Sequence, residues 1–78
     1  MQARYRTIAV EKLGRVARLT LARPERANAL NQAMLLEIGA ALDELEYEAR
    51  IGALIIIGAG PAFSSGFDLT EQGDAGRE

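Results

Sequence analysis

The chain has 78 residues and a net charge of −2, with 9 Lys or Arg, 11 Asp or Glu, and neither cysteine nor histidine. That composition excludes a disulfide framework and His/Cys zinc sites, and the absence of any basic cluster beyond Arg4-Tyr5-Arg6 argues against nucleic acid as a partner. The longest apolar run, residues 53–57, is far too short for a membrane span, and Arg4, Arg6 and Glu11 interrupt any signal-peptide core, so a cytoplasmic protein is expected.

Residues 7–12 are predicted as a first strand, with Ile8 and Val10 on one face. Gly14 can take the positive φ of a tight turn. Residues 16–22 are predicted as a second strand, apolar at Val16, Leu19 and Leu21 but broken in alternation at Arg18. A turn this short implies an antiparallel hairpin, and Arg23-Pro24 ends it, because proline donates no ladder hydrogen bond.

Asn31 is a good helix N-cap. Met34, Leu35, Ile38, Leu42 and Leu45 recur at helical spacing and predict one apolar stripe, with Glu37, Asp43, Glu44 and Glu48 off it. The helix is expected to end near Arg50, before Gly52, and Gly39 suggests close approach of another backbone. Residues 53–57 read as an apolar strand without alternation, hence buried on both faces in a parallel sheet. One helix covers one face, so this strand needs more protein for the other. Gly58 and Gly60 read as turn residues, residues 62–69 as a loop, and residues 70–78 as a disordered tail.

Several catalytic motifs fail. Gly58-Ala59-Gly60 lacks the third glycine of a dinucleotide fingerprint, since position 63 is Phe63, and there is no Walker lysine. Ser64 and Ser65 have no glycine correctly placed for a nucleophile elbow, and without histidine no internal Ser-His pair exists.

Three segments taken together resemble the enoyl-CoA hydratase/isomerase (crotonase) family. They are Leu19-Thr20-Leu21-Ala22-Arg23-Pro24 followed by Asn28-Ala29-Leu30-Asn31, the helix with Met34, Glu37, Ala41 and Leu42, and residues 53–60 followed by Ala62-Phe63-Ser64-Ser65-Gly66-Phe67-Asp68-Leu69. The resemblance implies an α/β, crotonase-like ββα spiral fold, of which residues 1–78 would be the first turns: an antiparallel hairpin, a helix and a buried parallel strand. Family members are several times longer and assemble as trimers or hexamers. The chain is therefore expected to be an N-terminal fragment of a homo-oligomeric enzyme.

The implied function is acyl-CoA thioester chemistry, with coenzyme A part of the substrate and with no cofactor or metal. In the family, backbone N–H groups stabilise the negative charge that grows on the thioester oxygen of an enolate, one such donor being worth ~100- to 1,000-fold in rate. By resemblance the N–H of Phe67 is one donor, and Gly66 gives the loop its shape. The second donor and the proton-transferring carboxylates would lie beyond Glu78, so the segment alone is expected to be inactive. Coenzyme A contacts carry over to Arg26, Ala27 and Ala29 after Arg-Pro, and to Ser65, Phe67 and Leu69. Arg26 reads either as a phosphate contact or as a solvated charge. Asp68 reads as a cap or loop brace, Phe63 as core packing, and Asn28 as a local brace of its loop. Phe67 stands where many hydratases carry a small residue, so its ring could line the acyl pocket. Two other readings stand beside this one: a non-catalytic coenzyme A-binding or assembly module, and a truncated product without function.

Overall fold

The structure, a computed structural model, describes residues 5–66. Strand β1 (Ile8–Leu13) turns into β2 (Val16–Leu21), a 3-10 turn follows at Pro24–Arg26, then helix α1 (Gln32–Glu46) and strand β3 (Ala53–Gly58). The sheet order is β1-β2-β3, with β1 antiparallel and β3 parallel to β2. Hairpin, helix and parallel strand therefore stand as expected, with β1 shifted by one residue and β2 ending one residue earlier than predicted.

The loop is Gly14-Arg15, and Gly14 takes φ 64°, a positive angle suited to glycine at the first position of a two-residue hairpin turn. The Arg15 carbonyl also accepts the N–H groups of Gly52 (2.7 Å) and Ala53 (3.3 Å), which fixes where β3 starts beside β2.

Strand β2 alternates cleanly once Ala17 is counted. Ala17, Leu19 and Leu21 are buried on one face, while Val16, Arg18 and Thr20 lie on the other. The register carries Ile8 opposite Leu21 and Val10 opposite Leu19 on the same face. Helix α1 closes over this patch through Met34 and Ala41, with Tyr5, Leu30 and Ile38 at the margin. The Asn31 side chain accepts from the Met34 N–H at 2.9 Å, capping the helix as predicted.

Three expectations about α1 change. The helix ends at Glu46, short of Arg50. Its last turn carries no base, and Glu44 and Glu46 add negative charge where the helix dipole is already negative. The buried stripe is Met34, Ala41 and Leu45, while Leu35 and Leu42 are exposed on the flank. A Cβ added at Gly39 would meet no other part of the described chain within 4 Å, so no backbone packs against that side of the helix here.

Strand β3 departs furthest from expectation. Leu54, Ile55, Ile56 and Ile57 remain 38–48% exposed. The helix packs over β1 and β2, so among the described residues both faces of β3 stay partly open. Phe63, expected in the core, is 58% exposed.

Candidate functional site

In open α/β sheets, ligands gather where loops leave the carboxyl ends of parallel strands. Here β2 and β3 deliver two such loops side by side. The first, residues 22–31, opens with Pro24–Arg26, where proline's fixed φ suits the first helical position. Ala27 (φ 51°) and Asn28 (φ 55°) then both take left-handed backbone, uncommon for residues other than glycine. Asparagine tolerates that region; for Ala27 it is strained, and the surroundings must hold it.

Asn28 does much of that holding. It is fully buried, and every polar atom of its side chain is used. Its Oδ1 accepts from the Arg23 N–H at 2.7 Å, and its Nδ2 donates to the carbonyls of Ala59 and Ala62, each at 2.9 Å. Its own N–H donates to the Arg23 carbonyl at 2.8 Å, and its carbonyl accepts from the Ser64 hydroxyl at 2.9 Å. The sequence suggested a local brace. Two of these partners lie 31 and 34 residues away, so Asn28 braces the second loop as well.

The second loop turns on two glycines. A Cβ on Gly58 would lie 2.4 Å from the Phe63 carbonyl oxygen, and one on Gly60 (φ 80°) would lie 3.0 Å from Pro24 Cβ. Both positions therefore require glycine for turn and packing, in keeping with their reading as turn residues. Past the turn, the Ser65 N–H donates to the Ala27 carbonyl at 3.0 Å, and the Leu30 N–H donates to the Gly66 carbonyl at 2.8 Å. The Ser64 hydroxyl accepts from the Gly66 N–H at 3.0 Å.

The predicted site residues thus fall into one place where they are described. Arg26, Ala27 and Ser65 lie exposed at the junction of the two loops, Ala29 is buried beneath it, and Gly66 (φ 94°) follows directly. Phe67, Asp68 and Leu69, and the tail over 70–78, lie outside the described residues. The N–H groups at the junction are engaged within the chain: Ala27 to Pro24, Ala29 to Arg26, and Ser65 to Ala27. A carbonyl oxygen takes two hydrogen bonds, so the carbonyl of exposed Ala27 can accept from a ligand as well, while that of buried Ala29 already accepts from the Arg23 guanidinium. The junction is therefore suited to a donor-bearing ligand edge on the Ala27 carbonyl and a ligand anion on the Arg26 guanidinium. Among the described residues no three acidic side chains gather to hold a metal ion, and no helix is long and apolar enough to cross a membrane.

The chain is similar to known proteins over most of its length. The family model described as enoyl-CoA hydratase/isomerase matches residues 11–78. A Mycobacterium bovis protein named probable enoyl-CoA hydratase is 44% identical over 70 residues, which is 90% of this chain and 27% of the relative. A 4-chlorobenzoyl coenzyme A dehalogenase of Arthrobacter sp is 42% identical over 64 residues, 82% of this chain and 23% of the relative. Among solved structures, an enoyl-CoA hydratase/isomerase from Xanthobacter autotrophicus Py2 superposes with TM-score 0.85 at 58% identity, over 91% of this chain and 26% of that one. The chain spans about a quarter of the length of these relatives. Across that span the matched sequence and the ββα arrangement coincide, and the chain belongs to the enoyl-CoA hydratase/isomerase (crotonase) family.

Proposed function

We propose that this chain forms part of an acyl-CoA thioester enzyme that stabilises a thioester enolate with backbone N–H groups. The observation that carries this reading is the stitching of the two loops, Ser65 N–H to Ala27 carbonyl and Asn28 to Ala59 and Ala62. It brings the residues assigned to coenzyme A beside the segment that leads into the oxyanion donor. Coenzyme A enters as part of the substrate, and no resident cofactor takes part. The adenine amino group donates to the Ala27 carbonyl, and Arg26 meets a phosphate. Ser65, Phe67 and Leu69 continue the contact along the ligand.

When the α-carbon of the thioester loses a proton, or its β-carbon accepts a nucleophile, charge moves to the thioester oxygen. The Phe67 N–H stabilises that charge without reorienting, and a second N–H from further polypeptide completes the pair. Hydration, isomerisation and dehalogenation differ in their acid and base groups and share this element. The 78-residue segment alone is inactive, and the complete enzyme works as a cytoplasmic homo-oligomer, a trimer or hexamer.

The test replaces the amide between Gly66 and Phe67 with an ester in the full-length polypeptide. This removes the donor hydrogen and keeps the side chain. The expected loss is ~100-fold or more in kcat on acyl-CoA substrates. Phe67→Ala keeps the N–H and is expected to change mainly which acyl groups are turned over. Unchanged turnover in the ester variant overturns the oxyanion assignment.

A further inference from the structure

Beyond the two loops that contact the ligand lies the residue joining them. We propose that Asn28 is a positioning residue for catalysis, one that holds the coenzyme A loop and the loop leading to the oxyanion donor in a single geometry. This deepens the function proposed above and rests on it.

The wiring supports the assignment. Asn28 sits at φ 55° with its side chain fully buried and held by three hydrogen bonds. On one side it fixes the Arg23 peptide, through Oδ1 to the N–H and through its own N–H to the carbonyl. On the other side it holds two carbonyls of the second loop, Ala59 and Ala62. Its carbonyl receives the Ser64 hydroxyl, which in turn accepts the Gly66 N–H. A two-bond relay therefore runs from Asn28 to the residue immediately before Phe67. None of these groups needs to touch substrate. A shift of the relay displaces the donor, and a displacement of about 1 Å at a reacting centre can cost ~100-fold in rate.

Simple stabilisation of the fold would use the same hydrogen bonds, so the test must separate the two roles. Asn28→Asp is nearly isosteric and keeps Oδ1 as acceptor. It replaces the Nδ2 donor with an oxygen facing the Ala59 and Ala62 carbonyls. Repulsion and burial favour the protonated acid, which can donate to one of the two carbonyls. Crotonyl-CoA turnover by the full-length polypeptide is measured against pH, per folded protein by circular dichroism. Where the carboxylate is ionised, on the alkaline side of the profile, kcat is expected to fall ~100-fold while KM moves by less than about 3-fold, and kcat is expected to recover in part as pH is lowered and the acid protonates. A loss confined to KM, or a kcat within about 3-fold of the unsubstituted protein, overturns the proposal.

If the variant does not fold, the unsubstituted protein supplies the answer by NMR of its asparagine side-chain amides. The Asn28 NH2 signals are expected to shift when crotonyl-CoA binds, and signals that stay put on a saturated protein overturn the coupling. Absence of both binding and turnover in the unsubstituted protein, with crotonyl-CoA, 4-chlorobenzoyl-CoA and a series of other acyl-CoA thioesters alike, overturns the acyl-CoA reading itself, and the Asn28 proposal with it.

Discussion

The Glu37 carboxylate accepts both the Thr7 N–H, at 2.8 Å, and the Thr7 hydroxyl, at 2.7 Å. It also takes the Arg6 N–H at 3.0 Å. One helix side chain thus satisfies the backbone just ahead of β1, while the Thr7 carbonyl accepts from Ala22 N–H at the end of β2. The tie also explains the rotation of α1. Glu37 flanks Met34 and Ala41 on one side, and Leu35 and Leu42 flank them on the other. Pulling Glu37 toward Thr7 turns the leucine flank outward.

This contact makes stability depend on pH. Desolvation pushes the Glu37 carboxyl up, but the Arg6 N–H, the Thr7 hydroxyl and N–H, and the Arg6 charge together outweigh it, leaving the group below its ordinary value. A depressed folded-state value means the contribution is present above the unfolded value and is lost as pH falls through the folded one. Glu37→Gln is expected to lower stability at neutral pH and to flatten the acid side of the stability profile. Urea titrations from neutral to acidic pH read the difference, and identical acid limbs for both proteins would remove Glu37 from the account.

Asn31→Ala removes the acceptor for the Met34 N–H and is expected to cost ~1 kcal/mol. Asn31→Asp keeps an acceptor and adds a charge favoured at a helix N-terminus, so it should retain most of the stability. Urea denaturation of the three proteins side by side checks the ranking.

What could be read in the sequence was local. Asn31, Gly14 and Pro24 announce themselves because cap, turn and strand end depend on neighbours within a few residues. The buried line of α1 keeps Met34, Ile38 and Leu45 but takes Ala41 in place of Leu35 and Leu42, because leucine outranks alanine as an apolar signal, whereas close packing on a sheet favours the smaller Ala41. The end of the helix was misplaced because apolar spacing ignores the acidic last turn. Phe63 looked like core, yet it stands exposed here. Arg26, Ala27, Ala29 and Ser65 could be named from resemblance, but their meeting depends on hydrogen bonds from Asn28 to carbonyls 31 and 34 residues away. No spacing rule encodes a side-chain amide that pairs with backbone at that separation.

The exposed strand predicts association. Leu54, Ile55, Ile56 and Ile57 form an apolar ribbon at the edge of the sheet, and such edges recruit other chains. The 78-residue chain is expected to self-associate at micromolar concentration. Ile55→Lys, placed beside Arg18 on the face away from α1, should reduce association through charge repulsion and solvation. Sedimentation velocity over a concentration series checks both, and a concentration-independent compact monomer would show that β3 tolerates its exposure.

Two glycines predict opposite outcomes for the same substitution. At Gly58 a Cβ would sit 2.4 Å from the Phe63 carbonyl oxygen and 2.6 Å from that of Ala62. Both are backbone atoms, and the Ala62 carbonyl is held by Asn28, so neither can step aside without breaking the join between the loops. Gly58→Ala in the full-length polypeptide is expected to cost about 3 kcal/mol, at the upper end for overpacking, and to weaken acyl-CoA binding along with stability. At Gly39 an added Cβ would meet nothing among the described residues within 4 Å beyond its own turn of helix, and the residue is helical. Gly39→Ala in the 78-residue chain is therefore expected to stabilise α1 by about 1 kcal/mol and to raise its helical circular dichroism signal. The same substitution in the full-length polypeptide then becomes a probe of packing. Alanine's propensity gain persists if the Gly39 face stays in solvent, and it turns into a loss if another element lies against that face, because the added methyl must displace it. Urea denaturation of the longer protein distinguishes the two. A stability gain there would mean that helix propensity alone explains the cost of the glycine and that no backbone approaches Gly39 in the assembled enzyme.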